Sequence, residues 1–445
     1  MKKFYLFLFI FIFLILSLNV KACDWGCRNI YYGLNQNSDV KILQQFLKDN
    51  NYYQGPVTGN FLSLTKKAVI DFQTKNNIIP ISGYVGNKTL TAINIVREKD
   101  QLLKDQIGQM FIVGFRGLEA TEDSYIVKAI KDLNLGGIIL FDYDTANKSS
   151  VRNISASNQV KKLISDIKTL TKKSLLVAVD AEGGYVNRLK TKYGYITIPS
   201  ALEMGTKNDV KETEKIGADL GKQLSELGFN MDFAPVLDVN VNPTNPVIGN
   251  LERSFSDNPD IVVSQAEAFI KGLHQYNIIT AAKHFPGHGS SQSDSHKGLV
   301  DVTNTYQQKE LIPYEKLIKN NQLDLVMTAH IVNTKIDPEY PATLSPLFLQ
   351  NILRNQLKFQ GVIVSDDMQM GAISQNYGFS ESVVKAVIAG CDLLIISNNA
   401  SVFDSLAPYT AQEAIFKAVK QGQISATRIQ ESYDRIKNLK EKFKI

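Results

Sequence analysis

The longer, C-terminal part of the chain alternates between two patterns of apolar residues. From residue 101 onward, short β-branched runs are followed by stretches with apolar positions at helical spacing, for example 261–276, 311–319 and 411–421. The runs predict eight strands, at 110–114, 137–141, 175–180, 231–235, 280–284, 325–329, 362–366 and 393–397. Strands that alternate with helices are typical of parallel sheets. We therefore predict an α/β fold, a (β/α)8 TIM barrel over residues 101–445, with an open doubly wound sheet as the alternative.

A second pattern, over residues 34–96, predicts a small three-helix domain. Apolar residues at helical spacing begin near Val40 and again near Ala68, and a third short helix is expected at about 88–95. So few residues bury only a modest core. We interpret the charged, helix-prone segment 97–105 as the linker to the barrel.

The first residues have the pattern of a secretory signal. Lys2 and Lys3 precede the apolar run 4–18, and the small residue Ala22 follows shortly after it. The run is shorter than the roughly 20 apolar residues of a membrane-spanning helix. We therefore predict that residues 1–22 are removed, that no stable membrane span remains, and that the protein is exported to a periplasm or an extracellular cell wall.

Charge and cysteine content narrow the possible partners. Removal of 1–22 takes away three lysines and no acids, so the formal charge of +5 falls to +2. Because no clustered basic stripe is present, nucleic-acid binding is not expected. Cys23 and Cys27 could form a disulfide in an oxidising compartment, or Cys23 could carry a lipid. Cys391 is predicted to be a buried thiol, and the oligomeric state is left open.

Charged and imidazole side chains follow several predicted strands at the point where each strand ends. These residues are Asp180, Asp238, Lys283-His284, His330 and Asp366-Asp367. In a barrel all C-terminal strand ends meet at one face, which is where active sites of this fold lie. One acid at a strand end usually caps a helix, but several at one face predict a catalytic site.

The densest polar segment is 283–296, which holds three of the five histidines of the chain. His284, His288, Asp294 and His296 could be metal ligands, but their spacing matches no compact ligand motif. The small residues within the segment are typical of a loop that closes over substrate. No metal or other cofactor is therefore predicted.

The small domain resembles the peptidoglycan-binding domain found in many wall hydrolases. The matching residues are Asp39-Val40, Leu43-Gln44, Gly55-Pro56-Val57-Thr58-Gly59, Thr65, Ala68-Val69, Phe72-Gln73 and 83–89. The resemblance implies that the domain binds wall glycan or stem peptide, with a helical spacer as the alternative.

The rest of the chain resembles glycoside hydrolase family 3, in its β-N-acetylglucosaminidase branch. The matching stretches are 180–188, 234–239, 253–255, 283–296, 326–330, Pro341-Ala342 and 361–368. Within the first stretch, Ala181 and Tyr185 replace a glutamine and an arginine that are usual in the family. These two departures leave the fine selectivity for the sugar open.

The resemblance implies roles for three catalytic residues. Asp366 occupies the position of the nucleophile, directly after the serine that ends its strand, whereas Asp367 is expected to cap a turn. His296 occupies the position of the acid–base residue, paired with Asp294. A histidine side chain, with a pKa of about 6.5, suits proton donation and return near neutral pH. Two such groups would give cleavage with retention through a covalent glycosyl-enzyme.

The resemblance also assigns Lys283, His284 and Arg253 to binding of the N-acetylglucosamine ring, and Asp180 to its hydroxyls. The leading hypothesis is therefore an exo-acting, retaining β-N-acetylglucosaminidase that acts on peptidoglycan or muropeptides. A β-N-acetylglucosaminide phosphorylase is the nearest alternative. A non-catalytic cell-wall-binding protein and a metal-dependent hydrolase are the others.

Overall fold

The computed structural model describes residues 29–296, 298–400 and 402–445. The predicted signal at 1–22 lies outside the described residues, and so do Cys23 and Cys27. Contacts divide the chain into two compact units, Met1–Asp100 and Gln101–Ile445. Within the described part, no helix is long and apolar enough to cross a membrane.

The first unit contains the helices Ser38–Asp49 (α1) and Ser63–Lys75 (α2) and the start of a longer helix, Asn87–Gln109 (α3). The apolar positions of α1 and α2 pack into a separate small core, in which the ring of Phe72 meets the ring of Phe46 edge-on at 5.5 Å. The three predicted helices are present. The segment interpreted as a linker is helical and forms part of α3.

Two buried glutamines, Gln44 and Gln73, organise the loops of this unit in the same way. The Gln44 partners are the backbone N–H groups of Thr58 and Gly59 (both 2.9 Å), the oxygen of Asn60 (3.0 Å) and Thr65 Oγ1 (2.9 Å). The Gln73 partners are the backbone N–H groups of Ser82 (3.0 Å) and Gly83 (2.9 Å), the oxygen of Tyr84 (2.8 Å) and Thr89 Oγ1 (2.9 Å). Both amides therefore use their donors and acceptor inside the unit, as buried polar groups must. The repeated arrangement shows that the unit is an internal repeat of one helix-and-loop pattern.

The second unit is a closed barrel. Its strands are Phe111–Gly114 (β1), Gly137–Ile139 (β2), Leu176–Val179 (β3), Met231–Asp232 (β4), Ile279–Phe285 (β5), Leu325–Thr328 (β6), Val362–Asp367 (β7) and Leu393–Ile396 (β8). Among the described residues they close in the order β1-β8-β7-β6-β5-β4-β3-β2, and neighbouring strands are parallel. The predicted (β/α)8 barrel is confirmed, and the open doubly wound sheet is wrong.

Helices follow the strands and cover the barrel. They are Tyr125–Leu133 (α4), Ser157–Thr171 (α5), Ala201–Lys207 (α6), Val210–Leu227 (α7), Pro259–His274 (α8), Ile312–Lys319 (α9), Gly371–Tyr377 (α10), Phe379–Ala389 (α11), Ala407–Lys420 (α12) and Ala426–Lys442 (α13). A π-helix, Leu347–Gln356, precedes β7. Strands β1, β3, β6 and β8 consist entirely of buried residues, which explains why they read as continuous apolar runs rather than alternating ones.

Two features at the strand ends shape the active face. A Cβ on Gly114 would lie 1.8 Å from the carbonyl oxygen of Ser397, so only glycine allows the end of β1 to approach the chain after β8 this closely. The loop after β5 is tied to the loop after β6, because Val300–Asp301 pairs with Ile331–Val332. Cys391, just before β8, is a buried free thiol.

Candidate active site

A cavity of about 380 Å³ opens at the C-terminal ends of the barrel strands. All seven residues to which the family resemblance assigned a role line this one cavity, namely Asp180, Arg253, Lys283, His284, Asp294, His296 and Asp366. These residues come from the ends of different strands and from their loops. The closed order of the strands brings them together, as the convergence argument required.

One wall of the cavity is a buried network of two acids and two bases. Glu182 accepts two hydrogen bonds from Arg253, from Nε and Nη2, both 2.8 Å long. Lys283 Nζ lies 2.6 Å from Glu182 Oε1 and 3.0 Å from Asp180 Oδ1. Although burial opposes it, the charges of Arg253 and Lys283 hold the pKa of Glu182 well below its usual value. Glu182 is therefore ionised, and it fixes both the Lys283 ammonium and the Arg253 guanidinium at the cavity surface.

His284 stands between this network and a second buried acid. Its Nδ1 lies 2.7 Å from Asp238 Oδ2, and its Nε2 lies 3.2 Å from Arg253 Nη2. Because a guanidinium only donates, Nε2 is the accepting nitrogen and Nδ1 carries the proton that goes to Asp238. Asp238 therefore sets the tautomer and the orientation of the His284 ring.

Asp366 is the second-last residue of β7, and its side chain lies at the cavity. Its Oδ1 accepts a hydrogen bond of 2.8 Å from the backbone N–H of Asp367. Burial alone would raise the pKa of Asp366, but the charges of His330, His284 and His296 lower it below its usual value. Asp366 is thus an ionised carboxylate in a closed site, the state that a nucleophile needs.

Asp367 is in a different environment. It accepts from the Ser397 hydroxyl at 2.5 Å and from the Ser397 backbone N–H at 3.0 Å, which ties the end of β7 to the end of β8. Burial raises the pKa of Asp367 to about 6. Its carboxylate also accepts at 3.3 Å from the N–H of Gln369, in the turn that follows.

The loop after β5 carries the histidine–carboxylate pair. His296 Nδ1 lies 2.7 Å from Asp294 Oδ1, which also accepts the His296 backbone N–H at 2.9 Å. The His296 side chain is 64% exposed and the Asp294 side chain 22% exposed. Asp294 leaves Nε2 of His296 as the nitrogen free to exchange a proton with a substrate or with water.

Several residues at the site were not among the proposed site residues. Glu182 and Asp238 hold the binding groups, Arg188 lines the cavity with its Nε 3.9 Å from Asp180 Oδ2, and His288 lines it beside His284. Strand-end position pointed to Asp238 and His330, but only the folded chain shows what these residues contact. His330 is buried, and its Nε2 lies 3.0 Å from the Asp367 carbonyl oxygen.

The two departures from the family pattern are at Ala181 and Tyr185. Neither Ala181 nor Tyr185 is among the residues that line the cavity. Ala181 is buried and its N–H donates to Asp232, whereas the Tyr185 side chain is 67% exposed. Among the described residues, no group of three or more His, Cys, Asp or Glu side chains is arranged to hold a metal ion.

A closed barrel that gathers an ionised carboxylate and a histidine–carboxylate pair around one cavity defines a glycoside hydrolase of the barrel class. The model of the glycosyl hydrolase family 3 N-terminal domain matches residues 102–439. The chain belongs to glycosyl hydrolase family 3. A second model, of a putative peptidoglycan binding domain, matches residues 36–93.

Individual relatives agree with this assignment. A beta-hexosaminidase of Idiomarina loihiensis is 34% identical over 314 residues, which are 68% of this chain and 89% of that protein. One from Tolumonas auensis is 35% identical over 268 residues, 60% of this chain and 76% of that protein. The structure of a glycoside hydrolase family 3 β-N-acetylglucosaminidase from Paenibacillus sp. superposes with a TM-score of 0.70 at 34% identity. That match covers 77% of this chain and 62% of the Paenibacillus chain.

Proposed function

We propose that the protein is an exo-acting, retaining β-N-acetylglucosaminidase that removes terminal β-linked N-acetylglucosamine from peptidoglycan or muropeptides. The observation that carries the proposal is the presence, at one cavity, of an ionised Asp366 and the Asp294–His296 pair. The names of the Idiomarina and Paenibacillus relatives support the sugar, and the N-terminal unit supports the polymer.

In the first step, a carboxylate oxygen of Asp366 attacks the anomeric carbon and the bond to the leaving oxygen breaks. His296, protonated, gives its Nε2 proton to that oxygen as it departs. A covalent glycosyl–Asp366 ester results. In the second step, neutral His296 takes a proton from water, the water oxygen attacks the same carbon, and Asp366 leaves as a carboxylate. Two inversions give net retention.

The buried network holds the sugar for these steps. Lys283 and Arg253 present charged donors whose positions are set by Glu182, and Asp180 presents a carboxylate oxygen suited to ring hydroxyls. Charge-assisted hydrogen bonds in a closed site contribute both affinity and orientation. By the family resemblance, Asp180 binds hydroxyls at the far end of the sugar ring, which favours exo cleavage.

We also propose that the enzyme works in the cell envelope. The signal pattern of residues 1–22 supports export, and the N-terminal unit supports retention on the wall. Together they favour a periplasm or an extracellular wall as the location.

The test is to incubate the protein with a chromogenic β-N-acetylglucosaminide, with muropeptides and with a β-glucoside, each with and without phosphate. We expect release of N-acetylglucosamine independent of phosphate, with the β-anomer formed first by NMR, and no activity in Asp366→Ala. An α-anomer would refute retention, and a sugar phosphate as product would identify a phosphorylase. Turnover of the β-glucoside alone would overturn the proposed substrate.

A further inference from the structure

The loop that carries Asp294 and His296 begins on a rigidly held residue, His288. The His288 backbone N–H donates to Asp238 Oδ1 at 2.7 Å, and its carbonyl oxygen accepts from Asn245 Nδ2 at 2.7 Å. The side chain is buried, and its Nε2 lies 3.1 Å from the hydroxyl of Ser295. His288 thus connects the fixed floor of the site to the far end of the loop.

Ser295 lies between the two members of the catalytic pair and differs from both in exposure. Ser295 is 3% exposed, whereas the side chains of its neighbours Asp294 and His296 are 22% and 64% exposed. Asp294 and His296 are hydrogen-bonded to each other at 2.7 Å and form one histidine–carboxylate unit. The Ser295 hydroxyl anchors that unit to the body of the barrel.

We propose that His288 is a positioning residue that, through Ser295, holds the Asp294–His296 pair in place over the cavity. This inference rests on the proposed function, because it assumes that His296 exchanges the proton.

The state of the His288 ring fits positioning better than proton transfer. Burial, together with the charge of His284, lowers the pKa of His288 to about 4, so the ring is neutral near pH 7. A neutral imidazole has one accepting and one donating nitrogen, and a serine hydroxyl can bond to either. The contact with Ser295 therefore persists throughout the pH range in which a histidine acid–base residue works.

Loss of the His288–Ser295 contact should affect substrates with a poor leaving group more than activated ones. A leaving oxygen that is a poor leaving group, such as a sugar hydroxyl, needs the proton from His296, whereas an activated aryl oxygen hardly does. If the anchor is lost, kcat/KM should fall mainly for the unactivated substrate. A displacement of about 1 Å in a catalytic group can cost on the order of a hundredfold in rate.

The variants are Ser295→Ala, His288→Asn and His288→Gln, with Ser293→Ala as the matched control on the exposed part of the same loop. A glutamine amide reaches approximately the place of Nε2, and an asparagine amide only that of Nδ1. We therefore expect Ser295→Ala and His288→Asn to lower kcat/KM on a β-linked disaccharide by about tenfold to a hundredfold. Both should retain activity on an activated aryl glycoside. His288→Gln should recover much of the loss, and Ser293→Ala should behave as the wild type.

A double variant, Ser295→Ala with His288→Asn, should be no worse than either single one, since both remove the same contact. Equal losses on the two substrates, or equal effects of His288→Asn and His288→Gln, would overturn the positioning role. His296→Ala is the reference in this experiment. If His296→Ala itself shows no dependence on the leaving group, the proposed acid–base role fails. If it does show that dependence and the anchor variants do not, only the anchor is wrong.

Discussion

Replacing Glu182 by glutamine tests whether the buried charge network both stabilises the barrel and sets up the sugar site. Glu182 is the shared partner of Arg253 and Lys283, and its side chain is only 5% exposed. With Asp180, the four groups carry no net charge. Glu182→Gln keeps the shape of the side chain but leaves one positive charge without a partner, among groups that are almost fully desolvated.

The structure sets the expected size of the effect. Removing one member of a buried ion pair costs about 3–5 kcal/mol, because the remaining charge stays buried. Glu267 offers a matched control, since it pairs with Lys271 on α8 at 2.9 Å but the Lys271 side chain is 51% exposed. An exposed helix pair of this kind contributes only about 0.2–0.5 kcal/mol. The same chemical change at the two positions should therefore differ roughly tenfold in its effect on stability.

Urea unfolding followed by circular dichroism, together with kcat and KM on an aryl glycoside, measures both effects. We expect Glu182→Gln to lower the free energy of unfolding and raise KM, and Glu182→Gln/Lys283→Met to recover part of the stability by restoring charge balance. Because the pKa of Glu182 is depressed, its stabilisation is present above pH 4.5, its usual pKa, and is lost as the pH falls below that value. The reasoning is refuted if Glu182→Gln is as stable as Glu267→Gln at pH 7.

Three further changes test other parts of the molecule. Asp294→Asn should lower kcat/KM by about a hundredfold or more on a β-linked disaccharide, because His296 loses the carboxylate that orients it, and unchanged steady-state kinetics would contradict this. Asp238→Asn should raise KM more than it lowers kcat, because the His284 ring loses the carboxylate that orients it. In urea unfolding, the same change should destabilise the barrel by about 1–3 kcal/mol. A loss of kcat alone would point to a different role for Asp238. Gln44→Leu should abolish co-sedimentation with purified peptidoglycan, because two backbone N–H groups lose their acceptor. Activity on a soluble aryl glycoside should stay at the wild-type level. Retained binding would show that the buried Gln44 amide does not maintain the binding surface.

The sequence was enough to predict the barrel because its strands are buried on both faces. The predicted strands 325–329 and 393–397 begin with the uninterrupted apolar runs 325–327 and 393–396, and each forms a barrel strand. Boundaries were less predictable. The predicted strand 231–235 exceeds β4, since Pro235 has no N–H for a ladder. The segment 97–105 is predicted as a charged, helix-prone linker, and its helix-forming residues continue α3.

For the site, the sequence by itself determined which residues are available and in what order they follow the strands. All seven residues proposed for the site line the cavity: the strand-end residues and the 283–296 segment stand out locally, and the family resemblance supplied Arg253 and the role of each residue. The sequence could not assign the hydrogen-bond and ion-pair partners of these side chains. That Glu182 joins Arg253 to Lys283 depends on contacts between segments brought together only when the barrel closes. The charge states of the acids also depend on the fold. Asp366 and Asp367 are adjacent and identical side chains, but their neighbours in the structure differ, so the pKa of Asp366 is lowered and that of Asp367 is raised. Residue type is local, whereas solvation and electrostatic environment are properties of the folded chain.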